Sequence, residues 1–268
     1  MKPTYSESQF AFGVNKELEM GNWRYPLSTP TRIPTQNVES YIGYDTDAEI
    51  STDIGIEPIF IQYKRSDHMV GGTARHWSSF PNDYYRFKIK NANQHNTLVE
   101  TADYFKHTYY VAPRFRTIEE YIQHHQNEEL VERSVFATCF GLPAMDENDP
   151  SDRHTIGYDD DRTLFFSEPE DIESFSGLSE LLSYLSEDEE AFRNIEELRG
   201  LFDEVNFSIA TKYEGLEVPD RQLQIGNWIR AQQDFFASIG ISLSFAFDLN
   251  LVYESTISEF KIFEEPSK

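Results

Sequence analysis

The sequence predicts a mixed α/β fold: a central sheet flanked by helices across about the first 140 residues, then an acidic, partly helical extension. Three observations predict it. The periodicities up to Phe140 run helix, several strands, then helix and strand twice over, which fits neither a bundle nor a sandwich. Hydrophobic residues make up 39% of the 268, with 21 Phe and 15 Tyr, so a real core forms despite a net charge of −24. The single cysteine, Cys139, excludes a disulfide framework and a Cys-based structural zinc site.

Each element has a local reason. Thr4-x-x-Glu7 is a capping-box pattern opening a helix over residues 4–20, with Phe10, Val14 and Leu18 as its buried stripe. Residues 21–37 are rich in Pro, Thr and Ser and read as loop. Residues 41–44 and 47–51 read as short extended pieces around a turn. Residues 58–64 are β-branched and aromatic and form the best strand of the first half. Residues 84–90 read as a strand with Tyr85, Phe87 and Ile89 on one face and Arg86, Lys88 and Lys90 on the other. A helix over 94–106 turns Leu98, Ala102 and Phe105 inward. Then follow a strand over 108–112, a helix over 118–129 and a strand over 134–140.

Beyond a polar loop at 143–152, residues 154–158 and 163–167 pair as a hairpin around Asp159-Asp160-Asp161. That triplet lacks the spaced ligands of an EF-hand and reads as a solvated tip. Residues 178–185, 187–202 and 222–239 read as helices, and 241–247 as a strand. The division expected is a core over 1–142 and an acidic α+β extension over 143–268, which can pack on the core as one domain.

Charge is unevenly shared. Residues 1–135 hold 14 Lys/Arg against 18 Asp/Glu, a net −4, while residues 136–268 hold 9 against 29, a net −20. Residues 60–93 run the other way, at net +4. An anionic ligand would meet that stretch, whereas the acidic half would repel polyanions or recruit a basic partner. No apolar run approaches a membrane span, and the N-terminus has no apolar signal-peptide core. A soluble, reduced, cytoplasmic protein is the expectation.

The chemistry-bearing residues sit in the first half. Gln62 and Lys64 are two apart in a strand and leave one face, while Ile59, Ile61 and Tyr63 leave the other. Gly43-Tyr44-Asp45-Thr46-Asp47 offers turn-delivered carboxylates at a strand start, Asp45 being preferred over Asp47. Glu17, three after Val14 and seven after Phe10, lies on the inward face of the first helix. Each group also has an ordinary reading: a solvated strand edge, an acidic hairpin, or a locally paired helix acid.

In this order, Glu17, then Gly43-Tyr44-Asp45, then Gln62-Tyr63-Lys64-Arg65 resembles the PD-(D/E)xK (restriction-endonuclease-like) nuclease superfamily, in its QxK variant. The resemblance covers residues 4–140 and implies an αβββαβ core. It implies Glu17, Asp45, Gln62 and Lys64 as catalytic residues. It implies a divalent metal, Mg²⁺ or Mn²⁺, held by Asp45, Gln62, the Tyr63 carbonyl and Glu17. DNA is the implied substrate, with Arg65, Arg75, Arg86, Lys88 and Lys90 as phosphate contacts. Cutting both strands with one site per chain favours a homodimer. The implied activity is phosphodiester hydrolysis in defence or DNA processing. The alternative is a catalytically inactive nuclease-fold protein serving as a binding or assembly subunit.

Overall fold

The computed structural model describes residues 1–21, 23, 25, 27, 30–33, 43–52, 56–71, 77–146, 154–166 and 169–185. The expected elements at 187–202, 222–239 and 241–247 lie outside the described residues.

The first helix, α1 (Glu7–Met20), completely buries the stripe of Phe10, Val14 and Leu18, spaced four apart. Its capping box forms two residues later than Thr4-x-x-Glu7 implies. Ser6 Oγ accepts from Gln9 N at 3.0 Å, and Gln9 Oε1 accepts from Ser6 N at 2.9 Å. Glu7 is thereby released from capping.

The strands are β1 (Thr46–Ser51), β2 (Ile56–Tyr63), β3 (Asp67–Met69), β4 (Tyr84–Ile89), β5 (Thr108–Pro113), β6 (Ser134–Thr138), β7 (His154–Tyr158), β8 (Thr163–Phe166), β9 (Pro169–Asp171) and β10 (Ser174–Ser176). Three more α-helices, α2 (Ala92–Tyr104), α3 (Ile118–Gln126) and α4 (Leu178–Leu185), and a 3₁₀ turn at Trp77–Ser79 complete the described set. The fold is mixed α/β, but the single central sheet becomes two. One has the order β1-β2-β5-β6-β10, the other β3-β4-β7-β8-β9. In the first, β1 and β2 are an antiparallel hairpin, and β2 pairs in parallel with β5. The second sheet is antiparallel throughout.

Strand alternation explains the layers. Ile59, Ile61, Tyr63, Tyr109, Val111 and Phe136 cover one face of the first sheet, and α1 and α4 pack on them. Phe60, Tyr110, Ala112, Val135, Ala137 and Cys139 cover the other face, against α2 and against Phe87, Ile89, Ile156 and Phe165 of the second sheet. The strand at 84–89 therefore joins a sheet of its own, since periodicity sets a strand's faces but not its neighbour.

No structural boundary falls at residue 142. Residue 154 onward supplies β7, which pairs with β4, and β10, which pairs with β6. The described part of the acidic extension is thus woven into both sheets. Among the described residues, no helix is long and apolar enough to cross a membrane.

Candidate active site

Gly43 adopts φ +78°, and a Cβ there would stand 2.8 Å from the Gln94 carbonyl and 2.9 Å from the Leu98 amide. Only glycine fits this turn against α2. Two residues later the turn delivers Asp45 to the end of β2. Asp45 Oδ2 accepts from Gln62 Nε2 at 2.6 Å and from the Tyr63 amide at 2.8 Å.

A carboxylate accepts only, so the Gln62 amide must present its nitrogen to Asp45. Its Nε2 lies 3.3 Å from the Tyr63 carbonyl as well. Gln62 Oε1 is buried and accepts no hydrogen bond from any described residue. The Lys64 ammonium stands 5.7 Å from the centroid of the Tyr110 ring. Asp45 and Gln62 are thus in direct contact, and Lys64 lies over Tyr110, the residue paired with Gln62 across β2 and β5.

Asp47, the other carboxylate of the turn, is committed elsewhere. It forms an ion pair with Arg32, whose Nε donates to Asp47 Oδ2 at 2.6 Å and whose Nη1 lies 3.1 Å from Glu49. Burial raises the Asp47 carboxyl's pKa and takes that of Glu49 to about 7, with Arg32 opposing both shifts. Asp45 is the one turned to Gln62.

Glu17 is buried on the inner face of α1, as its spacing requires, but faces a different set of partners. Its Oε2 accepts from the Val131 amide at 3.0 Å, and its Oε1 lies 3.9 Å from His125 Nδ1. Burial pushes its pKa up to about 7, against hydrogen bonds from the Val131 and Leu130 amides. It anchors the α3–β6 connection, and the structure does not bring it to Asp45. This corrects its expected catalytic and metal-binding place.

The acid of α1 that does reach this site is Glu7, at the helix start. Its Oε2 accepts from the Arg65 amide at 2.9 Å. Loss of hydration raises its pKa; the charge of Lys64 opposes that shift and the charge of Asp45 adds to it. The residue as a whole stays exposed, but its carboxylate is turned in toward the Arg65 amide and away from much of its hydration. Sequence reasoning missed Glu7 because Thr4-x-x-Glu7 assigned it to a cap. The overlapping Ser6-x-x-Gln9 was the signal that freed it.

The basic residues divide. Arg65 is exposed beside Glu7, with Nη1 held by the Tyr5 carbonyl at 3.3 Å. Phe87 and Ile89 face the layer containing Tyr110, so Arg86 and Lys88 project from the opposite face of the second sheet. Lys88 and Lys90 are exposed, whereas Arg86 is half-buried with its Nε sequestered. The expected phosphate track along these three therefore faces away from Lys64. Arg75 lies outside the described residues.

Among the described residues, no group of three or more His, Cys, Asp or Glu side chains is gathered to hold a metal. The donor set at the site is hard and oxygen-based: the Asp45 carboxylate and the orphaned Gln62 Oε1. That set fits Mg²⁺, which typically takes one or two carboxylates and fills its shell with water and substrate phosphate. Comparison of the chain with protein-family models, curated proteins and solved structures returns no match.

Proposed function

We propose that this protein is a metal-dependent nuclease that hydrolyses phosphodiester bonds in DNA. One observation carries the reading. Asp45 is fixed by Gln62 Nε2 and the Tyr63 amide, leaving a buried Gln62 oxygen without a partner among the described residues, two positions before Lys64 on the same strand face. A buried oxygen of this kind takes a partner, a water or a bound cation, and it is open to a metal here. Asp45 and Gln62 would hold Mg²⁺ or Mn²⁺, which when bound would polarise the scissile phosphate and acidify a water.

The chain's own residues divide the remaining work. The Tyr63 amide and Gln62 Nε2 orient the Asp45 carboxylate. Lys64 sets a positive charge where negative charge develops on the phosphate. Glu7, exposed and with a raised pKa, takes or returns a proton at the mouth of the site. Arg65 offers its guanidinium to the phosphate backbone.

A second reading, a nuclease-fold subunit without activity, draws on the sparse carboxylate set, since Gln62 replaces an acid. Incubation of plasmid and linear DNA with Mg²⁺ or Mn²⁺ separates the two. Cleavage that falls at least about 100-fold in Asp45→Ala and Lys64→Met supports catalysis. Binding without cleavage by the wild type supports the subunit.

A further inference from the structure

We propose that Tyr110 and His95 act as a positioning pair that holds the Lys64 ammonium in place; the inference rests on the nuclease reading of that site. In the parallel register of β2 and β5, Tyr110 is the partner of Gln62, so its ring floors the face from which Gln62 and Lys64 rise. The ammonium stands 5.7 Å from the ring centroid, within cation–π range.

The ring is held from beneath. Its hydroxyl lies 2.9 Å from His95 Nδ1, and His95 Nε2 lies 2.9 Å from the Pro143 carbonyl. A carbonyl only accepts, so Nε2 carries the imidazole hydrogen and Nδ1 accepts from the Tyr110 hydroxyl. The direction of the chain is thereby fixed: Tyr110 to His95 to Pro143. Burial raises the phenol's pKa well above its ordinary value, which keeps it a donor. Donation into His95 leaves the ring richer in electrons toward the cation.

The far end of the chain is clamped as well. Asn96 donates to the Met145 carbonyl at 2.9 Å and accepts from the Met145 amide at 2.8 Å. Neighbouring residues of α2 therefore grip the segment that carries Pro143. His95 is fully buried, and Tyr110 nearly so. Core packing alone would be met by Phe and Leu, without the cost of sinking a phenol and an imidazole. What this polar chain adds is a fixed ring orientation under Lys64.

The test uses the full chain with its lysines ¹³C-dimethylated, the Lys64 signal being assigned by its loss in Lys64→Arg. In the wild type the ring current of Tyr110 should displace that signal upfield of the exposed lysines. Tyr110→Leu should abolish the displacement, and His95→Leu should shift the signal. His95→Gln, which accepts and donates at similar positions, should restore it. If Tyr110→Leu does not fold, the His95 pair decides. A wild-type signal among the exposed lysines, or one that His95→Leu leaves unmoved, overturns the proposal. Where the wild type cleaves DNA, His95→Leu should lower kcat about tenfold, with KM unchanged and His95→Gln rescuing. A wild type that never cleaves defeats the nuclease reading while leaving the spectroscopic result standing.

Discussion

Gln62 gives an amide hydrogen to Asp45 across 2.6 Å and keeps its own oxygen buried and unpaired. The pair joins a negative charge to a neutral donor, where a conventional two-carboxylate metal site would hold two acids. Replacing Gln62 with Glu would set two carboxylates at that distance in a partly buried site, where like charges repel strongly. Gln62→Glu should melt lower than the wild type without divalent metal. Saturating Mg²⁺ should recover the loss, since binding at 100 times Kd adds about 2.7 kcal/mol. Thermal melts with and without Mg²⁺ check this, and a variant whose midpoint ignores Mg²⁺ removes the metal from the site.

Gly43 controls where Asp45 arrives. Its positive φ and the Gln94 and Leu98 backbone atoms under 3 Å from a notional Cβ leave no room for a side chain. Gly43→Ala should cost about 1–3 kcal/mol in urea unfolding. Residual cleavage by the folded fraction should also fall, because the turn must shift before Asp45 is delivered.

Much of this site was legible because strand alternation is local. The period of two put Gln62 and Lys64 on one face and Tyr63 on the other, and the turn before β1 singled out Asp45. The helix acid was not legible, because two capping boxes overlap over residues 4–9 and only packing chooses between them. The second sheet was hidden for a related reason. Alternation shows that Phe87 is buried, but the pairing of β4 with β7 spans about 70 residues of chain, and no local signal encodes it. Arg86 and Lys88 then followed their strand to the face away from Lys64.

Arg32 pairs with two buried acids at once. Without it, Asp47 and Glu49 would carry unpaired charge in the interior, which costs about 3–5 kcal/mol. Both carboxyls have pKa values raised by burial, Glu49 to about 7. Losing Arg32, which opposes both shifts, raises them further, so at pH 5 Glu49 is protonated in the variant and part of the penalty is avoided. Arg32→Met should therefore destabilise strongly at pH 8 and less at pH 5. Equal losses at the two pH values would show that Arg32 contributes through packing alone.

Glu17 and Glu7 make opposite predictions from one helix. The folded-state pKa of Glu17 is raised from 4.5 to about 7, so between those values the native state binds a proton that the unfolded chain has lost. Its contribution to stability is full below pH 4.5 and is lost as pH rises to about 7, by a few kcal/mol. Glu17→Gln keeps an acceptor for the Val131 amide and removes the charge. It should flatten that part of the stability profile, melt higher than the wild type at pH 8, and keep metal-dependent cleavage. Glu7→Gln, which keeps an acceptor for the Arg65 amide, should still fold, yet lower cleavage by about 10²–10⁴ and alter its pH profile. Loss of cleavage in Glu17→Gln with full activity in Glu7→Gln would return the catalytic role to Glu17.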